Sequence, residues 1–172
     1  MSSFSLSRVR SAALSACACA LALALALGCA GCSTAPPEPK KPTNARAATT
    51  VVKSGGISVS LRCDPSVTRP GGSFSLTLVV RNLSGRPFSW TSPSGQTYEF
   101  LAFDKGGSEA WRWSRGMAFI QIVTQVTIAP SESKVYKVAW NTAGTAAGLY
   151  TIQGYFLGLA SLRPSVSVEI TP

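Results

Sequence analysis

The side chains that commonly carry catalysis are few in this chain of 172 residues, which contains no histidine. Neither a Ser-His-Asp nor a Cys-His nucleophile pair can form, and the commonest ligand of catalytic zinc is missing. Carboxylates after residue 56 are isolated in separate segments: Asp64, Glu99, Asp104, Glu109, Glu132 and Glu169. They lack the spacing of a glycosidase pair, and no glycine-rich loop is suited to hold a phosphate. We therefore expect no enzyme, no cofactor and no metal site.

One cysteine lies in a sequence context that indicates a specific reaction. Arg8 and Arg10 precede an Ala/Leu-rich run that ends in Leu25-Ala26-Leu27-Gly28-Cys29. This pattern resembles a bacterial lipoprotein signal, with a positive start, an apolar middle and small residues before the cleavage point. We expect residues 1–28 to be removed and Cys29 to be lipidated, with Cys32 as the alternative. The apolar run is shorter than the roughly 20 residues of a membrane-spanning helix.

Lipid attachment predicts where the protein resides. A lipoprotein cysteine carries two or three acyl chains, which together hold a protein on a bilayer. Neither Ala30 nor Ser33 supplies the aspartate that resembles an inner-membrane retention signal. We expect a lipid-anchored protein of the cell envelope, on the outer membrane and facing the periplasm if the source has two membranes. The net charge of +9 falls to 14 − 7 = +7 when Arg8 and Arg10 leave with the signal. The remaining positive charge is widely spread, which favours an anionic membrane surface over nucleic acid as a partner.

The segment after the signal lacks hydrophobic periodicity. Residues 29–56 are rich in Pro, Ala and Thr, which is typical of a flexible tether. A first strand at residues 49–53 is the alternative, because Thr-Thr-Val-Val favours β-structure. Residues 57–172 then form one domain of ordinary size. An oxidising compartment would permit a bridge between Cys32 and Cys63, unless Cys32 is the lipidated residue.

Apolar and polar residues alternate with a period of two through residues 57–172, as in half-buried strands. Phe74, Leu76, Leu78 and Val80 give the clearest example. The same alternation occurs at Ile57/Val59/Leu61, Ile120/Ile122/Val126/Ile128, Tyr136/Val138/Trp140, Tyr150/Ile152/Phe156 and Val166/Val168/Ile170. Turn residues separate these runs, including Pro70-Gly71-Gly72 and Lys105-Gly106-Gly107. The pattern predicts an all-β antiparallel sandwich.

Several motifs occur in a distinctive order. They are Arg81-Asn82-Leu83-Ser84, Ser94-Gly95-Gln96-Thr97-Tyr98-Glu99-Phe100, Trp111-Arg112-Trp113-Ser114 with Gly116 and Phe119, Pro130-Ser131-Glu132-Ser133, Trp140, and Gly148 to Gly154. Over about residues 73–157 the chain resembles the BsuPI family, described as intracellular proteinase inhibitors. The resemblance implies an immunoglobulin-like β-sandwich of about seven to nine strands and an inhibitory function. The chain has Ser131 where the family usually has glycine.

The candidate contact residues lie around these motifs. Ser114-Arg115-Gly116-Met117 joins two predicted strands and, with Trp113, is the best candidate for a loop that contacts a partner. Ser94-Gly95-Gln96 is predicted to form a turn, with Gln96 either satisfying the backbone or touching a partner. Trp111 and Trp113 would share one face of a strand, with at least one ring in the core, while Arg112 would point to solvent or to a partner's carboxylate.

Two functions are compatible with these features. As an inhibitor of a protease, a serine protease foremost, the domain would present rigid loops that fill the cleft, with Arg115 or Met117 in the specificity pocket. As a non-inhibitory module, it would bind another envelope protein or a cell-wall component.

Overall fold

A computed structural model describes residues 46–172 of the chain. The predicted signal peptide, the two candidate lipidation sites Cys29 and Cys32, and most of the predicted tether lie outside these residues. Among residues 46–172, no helix is both long enough and apolar enough to cross a membrane.

Eleven strands and one short 3-10 helix, Leu157–Leu159, make up the described chain. The strands are β1 (Ala48–Ser54), β2 (Ile57–Asp64), β3 (Val67–Thr68), β4 (Ser73–Asn82), β5 (Phe88–Ser92), β6 (Tyr98–Asp104), β7 (Glu109–Arg112), β8 (Thr124–Ile128), β9 (Ser133–Asn141), β10 (Gly148–Phe156) and β11 (Ser165–Ile170).

Two sheets pack face to face and a two-stranded ribbon completes the domain. The first sheet has the order β1-β2-β4-β9, and every pair in it is antiparallel. The second has the order β3-β11-β10-β6-β7, in which only the short pair β3-β11 is parallel. Strands β5 and β8 form the ribbon. The fold is therefore the all-β, immunoglobulin-like sandwich that the alternation and the family motifs predict.

Alternating side chains from both sheets fill the core. In β2 and β4 every second residue is buried, while the residues between them face outward. The largest fully buried side chain is Trp140, whose ring lies 5.4 Å from that of Phe74. All the buried apolar residues of the described chain lie between Ile57 and Ile170. Residues 46–172 thus contain a complete hydrophobic core and have what an independently folding domain requires.

The register places the loops at two opposite ends of the sandwich. Ser54 pairs with Ile57, and Ile57 with Asn82, which brings residues 55–56 and 83–87 to one end. Phe156 pairs with Tyr98 at this same end, which we call the loop pole. Ala48 pairs with Cys63 near the other end, the entry pole, where β1 begins.

Strand β1 corrects the predicted domain boundary. The flexible tether was expected to extend to residue 56, but Ala48–Ser54 pair along their whole length with β2. The alternative first strand at residues 49–53 is the one that forms, and Ala48 and Val52 of this strand pack against the core. Together with the short strands β3 and β7, it raises the strand number to eleven, above the seven to nine expected.

Candidate functional site

A buried carboxylate, Glu99 of β6, joins the two predicted contact regions. Its residue is only 3% exposed. The Gln96 amide donates to Oε2 of Glu99 at 3.1 Å, and the backbone N–H of Ser114 donates to Oε1 at 3.2 Å. The Ser114 hydroxyl also donates to Oε2. The predicted turn at 94–96 and the predicted loop at 113–117 therefore meet on one carboxylate.

Arg112 extends this network towards the surface. Its Nη1 lies 3.4 Å from Oε2 of Glu99, while its Nη2 lies 2.5 Å from Oε2 of Glu109. Arg115 reaches the other oxygen of Glu109 at 2.7 Å. Hydrogen bonds first from Arg112 and then from Arg115 hold the pKa of Glu109 below its ordinary value. The contacts of Arg112 with Glu109, and then with Glu99, raise the pKa of Arg112. Arg112 is thus paired within the domain and is not held ready for a partner's carboxylate.

The turn at 94–96 is half-buried, and its backbone groups are hydrogen-bonded to Ser92 and Ile120. The Ser92 hydroxyl donates to the Gln96 carbonyl at 2.9 Å. Gly95 donates its N–H to the Ile120 carbonyl at 2.9 Å, and a Cβ at Gly95 would lie 3.0 Å from Cγ1 of Ile120. A side chain at Gly95 would require Ile120 to shift by a few tenths of an ångström. Gln96 satisfies the carbonyl of Tyr98 as well as Glu99, which matches the first of the two roles expected of it.

Both rings of the Trp-x-Trp motif pack inward. Trp111 in β7 stacks on Trp140 with ring centroids 5.6 Å apart. Trp113 lies just beyond β7 and stacks on Tyr98 at 4.3 Å, which in turn stacks on Tyr136 at 4.5 Å. Phe119 packs against the outer side of Trp113 at 5.8 Å. A column of aromatic rings thus runs from the core to the base of the contact loop.

The loop itself exposes an apolar surface. Met117 is 49% exposed, Ile120 65%, Ile122 62% and Val123 69%. Arg115 and Gly116 are exposed beside them, and Gly116 has a φ of 77°, which favours glycine at this turn. We call residues 117–123 the apolar segment. Its length and apolar character make it the surface most suited to bury against another protein.

Sequence reasoning missed most of this segment. The alternation from Ile120 to Ile128 predicted one long half-buried strand, but β8 begins only at Thr124 and Ile120 and Ile122 face solvent. Strand β8 does not extend back to Ile120 because Ile120 is held by the 94–96 turn and has no opposing strand. The consecutive apolar residues Ile122 and Val123 break the alternation, and this break was the sequence signal that the strand does not include them.

No group of three or more His, Cys, Asp or Glu side chains within residues 46–172 is arranged to hold a metal ion. Cys63 is fully buried, and its thiol donates to the Pro65 carbonyl at 3.3 Å. Burial raises the pKa of this thiol to about 12. The predicted partner in a bridge, Cys32, lies outside the described residues.

Residues 61–160 match the family model described as intracellular proteinase inhibitor, BsuPI. The chain belongs to the BsuPI family. The matched residues span β2 to the 3-10 helix and include Glu99, the Trp-x-Trp motif and the apolar segment. BsuPI is a family of inhibitors, which agrees with the expectation that the chain is not an enzyme. No curated protein matches the chain.

Solved structures share only a general likeness with this BsuPI domain. A cycloisomaltooligosaccharide glucanotransferase from Paenibacillus is 14% identical with a TM-score of 0.42, and the match covers 63% of this chain but 13% of that one. A CARDB domain from Pyrococcus furiosus is 18% identical with a TM-score of 0.38, covering 64% of this chain and 84% of that one. A Listeria innocua β-glucosidase is 11% identical with a TM-score of 0.42, covering 66% and 16%. The chain thus spans only a small part of the enzymes it resembles.

Proposed function

We propose that this BsuPI domain is a proteinase inhibitor of the cell envelope, which blocks its target by placing the apolar segment in the active-site cleft. The observation that carries the proposal is the exposure of Met117, Ile120, Ile122 and Val123 on a loop whose base is buried and hydrogen-bonded. Protein interfaces depend on a few apolar anchors that become fully desolvated. Family membership supports the inhibitory role of such an anchor.

Rigidity of the loop base favours tight binding. Glu99 joins the loop to the neighbouring turn, and the Gly95–Ile120 hydrogen bond holds the apolar segment against that turn. The ring of Trp113 rests on the aromatic column below. A loop that is already ordered loses less conformational entropy when it binds. Inhibition by occlusion therefore needs no rearrangement of the sandwich.

The pairing of the one cation in the loop favours a target whose specificity pocket is apolar. Arg115 was expected to be a candidate for that pocket, but its guanidinium is paired with Glu109 at 2.7 Å. Met117 and the three residues Ile120, Ile122 and Val123 carry no competing contact of this kind. A serine protease that prefers large apolar side chains fits the segment better than one that prefers arginine.

The position of the apolar segment is compatible with an N-terminal anchor. Gly95, Ile120 and Tyr98 lie at the loop pole, whereas β1 begins at the entry pole. Metabolic labelling with a fatty acid tests the anchor in the full chain. Label that survives Cys32→Ala and disappears with Cys29→Ala supports lipidation of Cys29, and the reverse pattern assigns Cys32.

Survival of the chain during inhibition tests the occlusion mechanism. Residues 46–172 are incubated with a subtilisin-like protease at equimolar ratio, and the intact mass is followed. An inhibitor stays intact while protease activity is lost. Rapid cleavage between Met117 and Val123 with no loss of activity would show a substrate loop and contradict the proposal. A folded domain that neither inhibits nor is cleaved would favour the alternative of a non-inhibitory binding module.

A further inference from the structure

The outward face of the β1-β2-β4-β9 sheet carries an unusual set of charges. Its exposed cations are Lys53, Arg62, Arg81 and Lys137, one from each strand. The only carboxylate that these four strands expose on this face is Asp64, which is paired with Arg62 at 2.9 Å. Three cations, Lys53, Arg81 and Lys137, thus have no acidic partner among the described residues on the face.

The register fixes the arrangement of these cations. One row across the sheet consists of Lys53, Ser58, Arg81 and Ser133, each paired with the next. Lys53 and Arg81 therefore stand two strands apart in this row. Arg62 and Lys137 stand two strands apart in a second row through Thr77. With strands about 4.8 Å apart and a rise of about 3.4 Å per residue, the cations within each row are about 10 Å apart and the two rows are about 14 Å apart. The second row is offset from the first by one strand.

Small and apolar residues occupy the space between the two basic rows. The intervening row is Val51, Ser60, Val79 and Val135, paired in that order across the sheet. Val51 is 50% exposed and Val135 is 52% exposed. The face therefore has an apolar centre and a basic border, and none of these residues carries a long side chain that would keep a planar partner away.

We infer that this face binds the surface of an anionic phospholipid bilayer. Cations at these positions would meet lipid phosphates, while Val51 and Val135 would enter the headgroup region, as the apolar face of an interfacial segment does. Charge complementarity selects this partner, because the described domain faces it with three unpaired cations and no unpaired carboxylate. Strand β1, the first strand of the described residues, is part of this face. A domain lying on the bilayer in this way keeps the sheet that contains β6 on its far side.

Vesicle co-sedimentation of residues 46–172 tests the inference without the anchor. We expect binding to vesicles of phosphatidylcholine with 30% phosphatidylglycerol, no binding to pure phosphatidylcholine, and loss of binding in high salt. The face variant replaces Lys53, Arg81 and Lys137 with threonine. The matched control makes the same replacement at three exposed cations elsewhere, Arg69, Arg86 and Lys105.

The two variants have the same net charge and differ only in where charge is lost. We expect the face variant to bind anionic vesicles about 100-fold more weakly, since each basic residue near such a surface contributes about a factor of five, and the control to change by less than about fivefold. Equal weakening of both variants, or no binding by the native domain, would overturn the inference. Binding to a soluble polyphosphate but not to anionic vesicles would also overturn it. Because the fragment lacks Cys29 and no protease is present, failure here leaves the proposed anchoring and inhibition unaffected.

Discussion

Ser114 donates both its hydroxyl and its backbone N–H to the buried carboxylate of Glu99. The two residues lie on opposite sides of the β6-β7 hairpin, and Gln96 reaches the same carboxylate from the adjacent turn. The serine that follows the Trp-x-Trp motif is therefore a structural residue which fixes the direction of the contact loop. Its neighbours Arg115 to Val123, and not Ser114 itself, supply the exposed surface.

Removal of this hydroxyl should weaken the domain. A hydrogen bond to a buried charged acceptor contributes about 1.5–3 kcal/mol, so Ser114→Ala should lower the free energy of unfolding by about 2 kcal/mol. Denaturant unfolding of residues 46–172 measures the change, with Ser108→Ala in the exposed β6-β7 turn as the control. A loss no greater in Ser114→Ala than in Ser108→Ala would show that the Glu99 network does not hold the loop.

The turn before β9 should accept a stabilising substitution. Ser131, at the position where the family usually has glycine, has a φ of 65°, in the left-handed region that is costly for residues with a side chain. Ser131→Gly relieves this cost, partly offset by the greater freedom of glycine in the unfolded chain. We expect a gain of about 0.5–1 kcal/mol, seen as a higher Tm. A lower Tm would mean that the Ser131 side chain makes a stabilising contact that outweighs the strain.

Cys63 should be unreactive in the folded domain. It is the only cysteine in residues 46–172, it is fully buried, and burial raises its pKa to about 12. A thiol reagent at pH 8 should therefore modify it only as fast as the domain opens, and complete modification should occur in denaturant. Because the folded pKa exceeds the ordinary value of 9.0, the associated stability is present below pH 9 and declines as the pH rises towards 12. Rapid labelling under native conditions would contradict the buried position of this side chain.

Acid should release Arg115 before the sandwich unfolds. The pKa of Glu109 is lowered from 4.5 by its hydrogen bonds with Arg112 and Arg115. A carboxyl group whose pKa is lowered by folding stabilises the folded state at pH values above its ordinary pKa. This contribution is lost as the pH falls through the lowered pKa. We expect the Arg115 side-chain resonances to shift towards those of a free arginine below about pH 4.5, while Glu109→Gln shows the free values at pH 7. An unchanged spectrum in Glu109→Gln would disprove the ion pair.

The sequence predicted the sandwich but only part of the site. Alternation in β2, β4, β9, β10 and β11 was strong because each strand buries one face on the same core. Strand β1 was obscured because it lies at a sheet edge and buries little more than Val52. Periodicity also failed at Ile120 and Ile122, because it reports residue type and does not show whether an opposing strand exists.

The buried carboxylate was missed for a different physical reason. An isolated glutamate in a strand is usually solvated, and the sequence shows Glu99 only as one of six isolated carboxylates after residue 56. Its donors come from Gln96, Arg112 and Ser114, and no single spacing in the sequence links them. All four residues fall within two motifs, Ser94 to Phe100 and Trp111 to Ser114, but the motifs alone do not show that these side chains meet.

The most direct test of inhibition is a titration of serine proteases with residues 46–172 and two matched variants. One variant replaces Ile122 and Val123 with serine. The control makes the same replacement at Val51 and Leu149, which are also exposed but lie away from the loop. We predict stoichiometric loss of activity for a protease that prefers large apolar side chains. The inhibition constant should be about 30-fold weaker for the loop variant, as for the loss of an interface hot spot, and unchanged for the control. Full activity of every protease at saturating folded domain, or equal inhibition by both variants, would contradict occlusion by the apolar segment.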